Sequence, residues 1–107
     1  MQILALSHRN AGVTAADLAK HQAAEARAAC ALIAQGMIRS AHLCPDRPGS
    51  VLVLECASVA DAQTHLATLP MVREGLVRFD AWEMKPYTGW QALFAQEAAS
   101  GFPPARE

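Results

Sequence analysis

Residues 37–56, MIRSAHLCPDRPGSVLVLEC, hold two short apolar runs, MIRSAHL and SVLVLEC, on either side of Pro45-Asp46-Arg47-Pro48-Gly49. A segment of two prolines, an aspartate and a glycine interrupts helix and strand alike, so the runs are predicted to fold back as an antiparallel hairpin. With the loop set at residues 45–49, Cys44 pairs with Ser50, His42 falls opposite Leu52 and Arg39 opposite Glu55.

Working outward, Gly36 closes an alanine-rich stretch that begins at Thr14, and Thr14 with Asp17 has capping-box spacing, so one helix is predicted from Thr14 to Gln35. Before it, residues 2–8, QILALSH, form an apolar run stopped by Arg9-Asn10-Ala11-Gly12, which suits a buried strand. After the hairpin, Ser58 and Asp61 repeat the cap pattern. Val59, Ala62, Leu66 and Leu69 then recur at helical spacing up to Pro70. LVRFDAWEMK supplies a last strand, ended by Pro86. The order βαββαβ predicts an α+β, ferredoxin-like fold with an antiparallel four-stranded sheet. Two helices cover one face of such a sheet, and the bare face is commonly covered by a second copy, so a homodimer is expected. On the last strand Val77, Phe79 and Ala81 alternate with Arg78, Asp80 and Trp82. The first set suits the helix side. Asp80 and Trp82 on the other side line either a cavity shared by two copies or a wet interface.

A chain of 107 residues is one domain, drawn over residues 1–95, with a flexible tail at 96–107. Nine Lys and Arg against ten Asp and Glu, with 52% hydrophobic residues, exclude both a disordered chain and a basic nucleic-acid binder. No apolar stretch approaches the ~20 residues of a membrane span, and MQILALSHRN lacks the basic start of a signal peptide, so a soluble, cytoplasmic protein without membrane partners is expected. Cys30, Cys44 and Cys56 are odd in number and lack Cys-x-x-Cys spacing, which argues for reduced thiols. His8, His21, His42 and His65 come from four separate elements, and no glycine loop suited to phosphate is present, so neither metal nor cofactor is expected. All six aromatic residues fall from Phe79 onward, four of them in an arm after Pro86. That much apolar area is expected to pack, either back on the chain's own helices or across to a neighbouring subunit.

One residue of the first helix breaks its pattern. On a wheel with Leu18 at zero, Ala29, Leu32 and Ile33 fall within about 60° of it, and Glu25 falls at about −20°, in the middle of the apolar stripe. An unpaired charge there is costly, so Glu25 must find a cation or donors, or hold its proton. His21, one turn earlier, is an acid/base partner by spacing. Arg39 and, across the hairpin, Glu55 would complete a buried network that either grips a ligand or only clamps the helix. His8 and His42 add imidazoles suited to proton transfer near neutrality.

The hairpin DRPGSVLVLECAS, the run ATLPMVREGLVRF and the closing WEMKPYTGWQALF resemble the muconolactone δ-isomerase-like proteins of the dimeric α+β barrel superfamily, over positions 2 to about 95. The resemblance extends to Glu25 and Arg39. It implies a homodimer whose sheets meet face to face, often built into larger rings, with a ligand cavity between sheet and helices or inside the shared barrel. The first functional expectation is an isomerase-like enzyme acting on a small lactone or carboxylate. Glu25, His21 and His42 would move protons, and Arg39, Glu55, Asp80, Trp82 and His8 would hold the ligand. The second is a non-catalytic dimeric module that binds a small molecule or assembles.

Overall fold

The hairpin forms where the turn residues place it, as β2 (Ile38–Leu43) and β3 (Ser50–Glu55). Its register is one residue away from the expected one: Leu43 pairs with Ser50, His42 with Val51 and Ala41 with Leu52. The cause lies outside the hairpin. Ser7 Oγ accepts the Ser50 N–H at 2.7 Å, and Arg47 Nη2 donates to the Ser7 carbonyl at 2.8 Å. Gly49 passes so close above Ser7 that a Cβ would lie 2.6 Å from the Ser7 oxygen, and its φ of +95° is one that glycine alone adopts freely. The loop is thus clamped on the first strand, which no reasoning about an isolated hairpin contains. Between Ile38 and Ser40 the ladder is interrupted by a bulge at Arg39. Arg39 therefore does not stand opposite Glu55, whose partner on the other side is Gln2.

The computed structural model describes residues 1–95 in full and the backbone of residues 96–100; the tail expected over 96–107 lies outside the fully described residues. β1 (Gln2–Arg9) runs between β3 and β4 (Val77–Met84), giving a four-stranded antiparallel sheet of order β2-β3-β1-β4. Alternation along the strands sends Ile3, Ala5, Leu52, Leu54 and Phe79 to one face, where they are buried beneath the helices. The expected first helix is two: α1 (Ala15–Ala19), closed at its start by the Thr14–Asp17 capping box, and α2 (Gln22–Ala34). The break at Lys20-His21 contains neither proline nor glycine, so the sequence carries no signal for it. α2 ends where Gly36 takes φ +79°. Ser58 caps α3 (Val59–Leu66) through the Asp61 N–H at 2.9 Å, and Pro70 opens a further single turn, α4 (Pro70–Arg73).

The opposite sheet face carries Leu4, Leu6, Val51, Val53 and Trp82, and no helix of the described chain lies over it. Every residue from Lys85 to Ala95 is exposed, including Tyr87, Trp90, Leu93 and Phe94 of the arm and the start of α5 (Gln91–Ser100). The Tyr87 and Trp90 rings meet edge to face at 4.5 Å. Among the described residues, therefore, Tyr87, Trp90 and Phe94 are not buried on the chain's own helices. No helix among the described residues is long and apolar enough to cross a membrane.

Substituting Gly49 by alanine combines a disfavoured backbone region with a clash against Ser7, and is expected to destabilise the protein by about 2 kcal/mol or more. Urea unfolding measures it; an unchanged midpoint would mean that the loop is not clamped as described.

Candidate functional site

Helix α2 presents alanine to the sheet where most packed helices present leucine. Ala26 and Ala29 leave a gap above the strands, and a cavity of about 320 Å³ opens there, within the usual size range of small-molecule sites. Its walls are mainly apolar: Leu18 and Ile33 from the helices, Leu52 and Phe79 from the sheet, Leu69 and Met71 from the segment at α4. Four polar side chains interrupt them: Ser7, Gln22, Glu25 and Ser50.

Glu25 is half-buried on this wall. Its Oε1 accepts the Met71 backbone N–H at 2.9 Å, one of the donors that the first turn of α4 leaves without an intrahelical partner. Burial pushes the Glu25 carboxyl above the usual carboxylate range, and the Met71 N–H and the charge of His21 oppose that shift. Among the described residues Glu25 has no ion pair. The expected network of Glu25, Arg39 and Glu55 does not form. Arg39 is exposed and folds back to give its Nε–H to the Gly36 carbonyl at 2.7 Å, because the bulge turns it away from the strand ladder. Glu55 points to the opposite face and meets the Met1 amino group, which holds its carboxyl below the usual range, with Arg39 adding a smaller charge effect. His21 sits in the helix break, so its position relative to Glu25 is set by one backbone bond, the Glu25 N–H to the His21 carbonyl at 2.8 Å. The imidazole influences Glu25 through charge and makes no ion pair with it within 4.0 Å.

The remaining expected site residues lie across the sheet from Glu25. His42 is exposed opposite Val51, and Trp82 is half exposed opposite Leu4. His8 Nε2 stands 2.9 Å from Asp80 Oδ2 without the geometry of a hydrogen bond. The sheet thus separates Glu25 from His8, His42, Glu55, Asp80 and Trp82. Gln22, Ser7, Ser50 and the Met71 N–H are the groups that sequence reasoning missed. Only Ser7 carried a signal, as a polar residue at an inward position of a strand.

A carboxyl whose folded pKa is raised contributes stability that is fully present below its unfolded pKa and is lost as pH rises through the folded value. Glu25→Gln removes that loss. The variant is therefore expected to gain in melting temperature relative to the parent as pH moves from below 4.5 to neutrality. A difference constant across that range would show that Glu25 is not held in an unfavourable site.

A scan against protein-family models and a search of curated proteins each give no match. Among solved structures the chain is similar to 5-chloro-2-hydroxyhydroquinone dehydrochlorinase from Burkholderia phenoliruptrix, in complex with 2,5-dihydroxybenzoquinone. The identity is 18%, the TM-score 0.65, and the match covers 83% of this chain and 98% of that one. At that identity the likeness is one of architecture: this chain has a ferredoxin-like α+β fold.

Proposed function

We propose that this protein is a small-molecule enzyme that moves a proton within a cyclic carbonyl compound, a lactone or a hydroxyquinone, bound in the cavity beneath α2. The observation that carries the reading is Glu25: a carboxylate on an apolar wall, with its pKa raised toward the range useful for general acid–base work. The carboxylate takes a proton from the carbon beside the ring carbonyl, and the electron pair spreads into the carbonyl oxygen as an enolate. The protonated Glu25 returns the proton at the far end of the conjugated system, so the product is an isomer with unchanged composition. Gln22, one turn before Glu25 on α2 and lining the same cavity, offers its N–H donors to the enolate oxygen. The solved dehydrochlorinase, with its bound hydroxyquinone, supports the substrate class. A cytoplasmic setting, with Cys30, Cys44 and Cys56 as free thiols, fits this reading.

The working unit is a homodimer, closed by the bare sheet face. Leu4, Leu6, Val51, Val53 and Trp82 make an apolar centre, and Gln2, Glu55, His8, Arg78, Asp80 and His42 a polar rim, the anatomy of a protein interface. The exposed arm from Tyr87 to Phe94 crosses to the neighbouring subunit.

Two outcomes test this. With muconolactone in heavy water, proton NMR is expected to show exchange beside the carbonyl and formation of the isomer, and Glu25→Gln is expected to slow both by about 10²–10⁴-fold while keeping the circular dichroism spectrum. A variant as fast as the parent sinks the assignment. Tight binding of 2,5-dihydroxybenzoquinone with no exchange by the parent on any lactone would favour the non-catalytic ligand-binding module instead. By light scattering the mass is expected at twice the 11.4 kDa of one chain, falling toward that value in Trp82→Glu, which places a charge in the apolar centre. A monomeric parent at micromolar concentration overturns the dimer.

A further inference from the structure

A second pocket, of about 310 Å³, lies at the end of the sheet where β1 runs out, away from the Glu25 cavity, and its lining is His8, Arg9, Arg47, Pro48 and Arg78. Three of the chain's nine Lys and Arg residues meet there, in a protein whose formal charge is −1. Among the described residues none of the three guanidiniums has a carboxylate within 4.0 Å. Asp80, half exposed, stands 2.9 Å from His8.

Arg47 and Arg78 are held by neutral groups that position them without cancelling their charge. Arg47 gives Nη2 to the Ser7 carbonyl at 2.8 Å, which carries the hairpin loop over to β1. Its other terminal nitrogen, Nη1, is buried with no hydrogen-bond partner among the described residues. Arg78 gives Nη1 to Asn10 Oδ1 at 3.2 Å, and Asn10 is itself tied to the Gly75 carbonyl at 2.8 Å. A buried guanidinium N–H without an acceptor is unfavourable, and like charges gathered in one concavity repel one another. The clamp to Ser7 uses only Nη2, and among the described residues the exposed Arg9 makes no side-chain hydrogen bond. Both penalties disappear if an oxyanion occupies the pocket, because its oxygens accept from the fork of Arg47 and its charge offsets that of Arg9 and Arg78.

We propose that this pocket binds a small oxyanion carrying two negative charges, a phosphoryl group or a dicarboxylate, through Arg47, Arg78 and Arg9. The double charge follows from three guanidiniums without acidic partners. The site stands on residues other than those of the Glu25 cavity and does not depend on the catalytic reading; His8 and Arg78 also stand on the polar rim of the proposed dimer face.

The test titrates the full-length protein, in a low-salt buffer free of polyvalent anions, with inorganic phosphate, succinate and acetate, followed by ¹⁵N NMR of the arginine Nε–Hε groups. Phosphate, succinate or both are expected to shift Arg47 and Arg78 in a saturable way. Arg9→Gln and Arg78→Gln are each expected to weaken binding about tenfold, the loss of one charge-assisted hydrogen bond. The exposed Arg9 side chain makes no hydrogen bond or ion pair among the described residues, so its variant remains informative if Arg78→Gln proves unstable. Response to phosphate alone identifies a phosphoryl ligand, and response to succinate alone a dicarboxylate. Acetate binding as tightly as either dianion overturns the double charge. No saturable shift with any of the three, or binding unchanged in both variants, overturns the site.

Discussion

A helix whose inner side is built from alanine cannot fill the space between itself and a sheet. Stacked layers are normally filled to the density of an organic crystal by large side chains from both sides. In α2 the large residues stand away from the middle: Leu32 is buried near the end of the helix, and Ile33 is half exposed at the rim. Ala26 and Ala29 occupy the position between, so the strands beneath them face a cavity. The site, the state of Glu25 and the reach of α4 all follow from that deficit. A carboxylate can sit on this wall because there is room for it to remain half-buried, and because the segment at α4 supplies one N–H to the side that water does not reach.

The same economy shapes the other side of the sheet. α2 and α3 lie on one face, and residues 85–95, the arm after β4, are exposed and cover neither face. The aromatic residues that could have closed either the cavity or the bare face are in that arm. Stability within one chain therefore comes from a thin layer, Ile3, Ile38, Leu54, Leu66 and Leu69, between sheet and helices.

Much of this architecture was legible in the residues. Proline and glycine marked the hairpin, Thr14 and Ser58 marked helix starts, and alternation on β4 sorted Phe79 from Asp80 correctly, because each of these signals is local. Glu25 was legible for a similar reason: a carboxylate in a stripe of alanine and leucine is an anomaly that needs no partner to be seen. What surrounds it was not. Its hydrogen-bond donor is a backbone N–H, which leaves no mark in a sequence, whereas Arg39, the cation that looked near, was displaced by a bulge. The register of the hairpin slipped by one because Ser7, Arg47 and Gly49, far apart along the chain, fix it together. Since a slip of one residue exchanges the faces of a strand, it also moved His42 from a position opposite Leu52 to one opposite Val51.

Ser7 is where these threads meet. Among the described residues it is the one polar residue within the buried set, and both its hydroxyl and its carbonyl are engaged by the hairpin loop. Its hydroxyl lies at the wall of the Glu25 cavity, while the arginine bonded to its carbonyl lines the cationic pocket at the end of the sheet. One residue of β1 thus forms the partition between an apolar chamber holding a carboxylate and an open concavity holding three guanidiniums. The two charged groups are each tied to a backbone group of another element: the Arg47 guanidinium to the Ser7 carbonyl at 2.8 Å, and the Glu25 carboxylate to the Met71 N–H at 2.9 Å. Gly49 lies too close to Ser7 to carry a side chain, so the loop that brings Arg47 to this position depends on it.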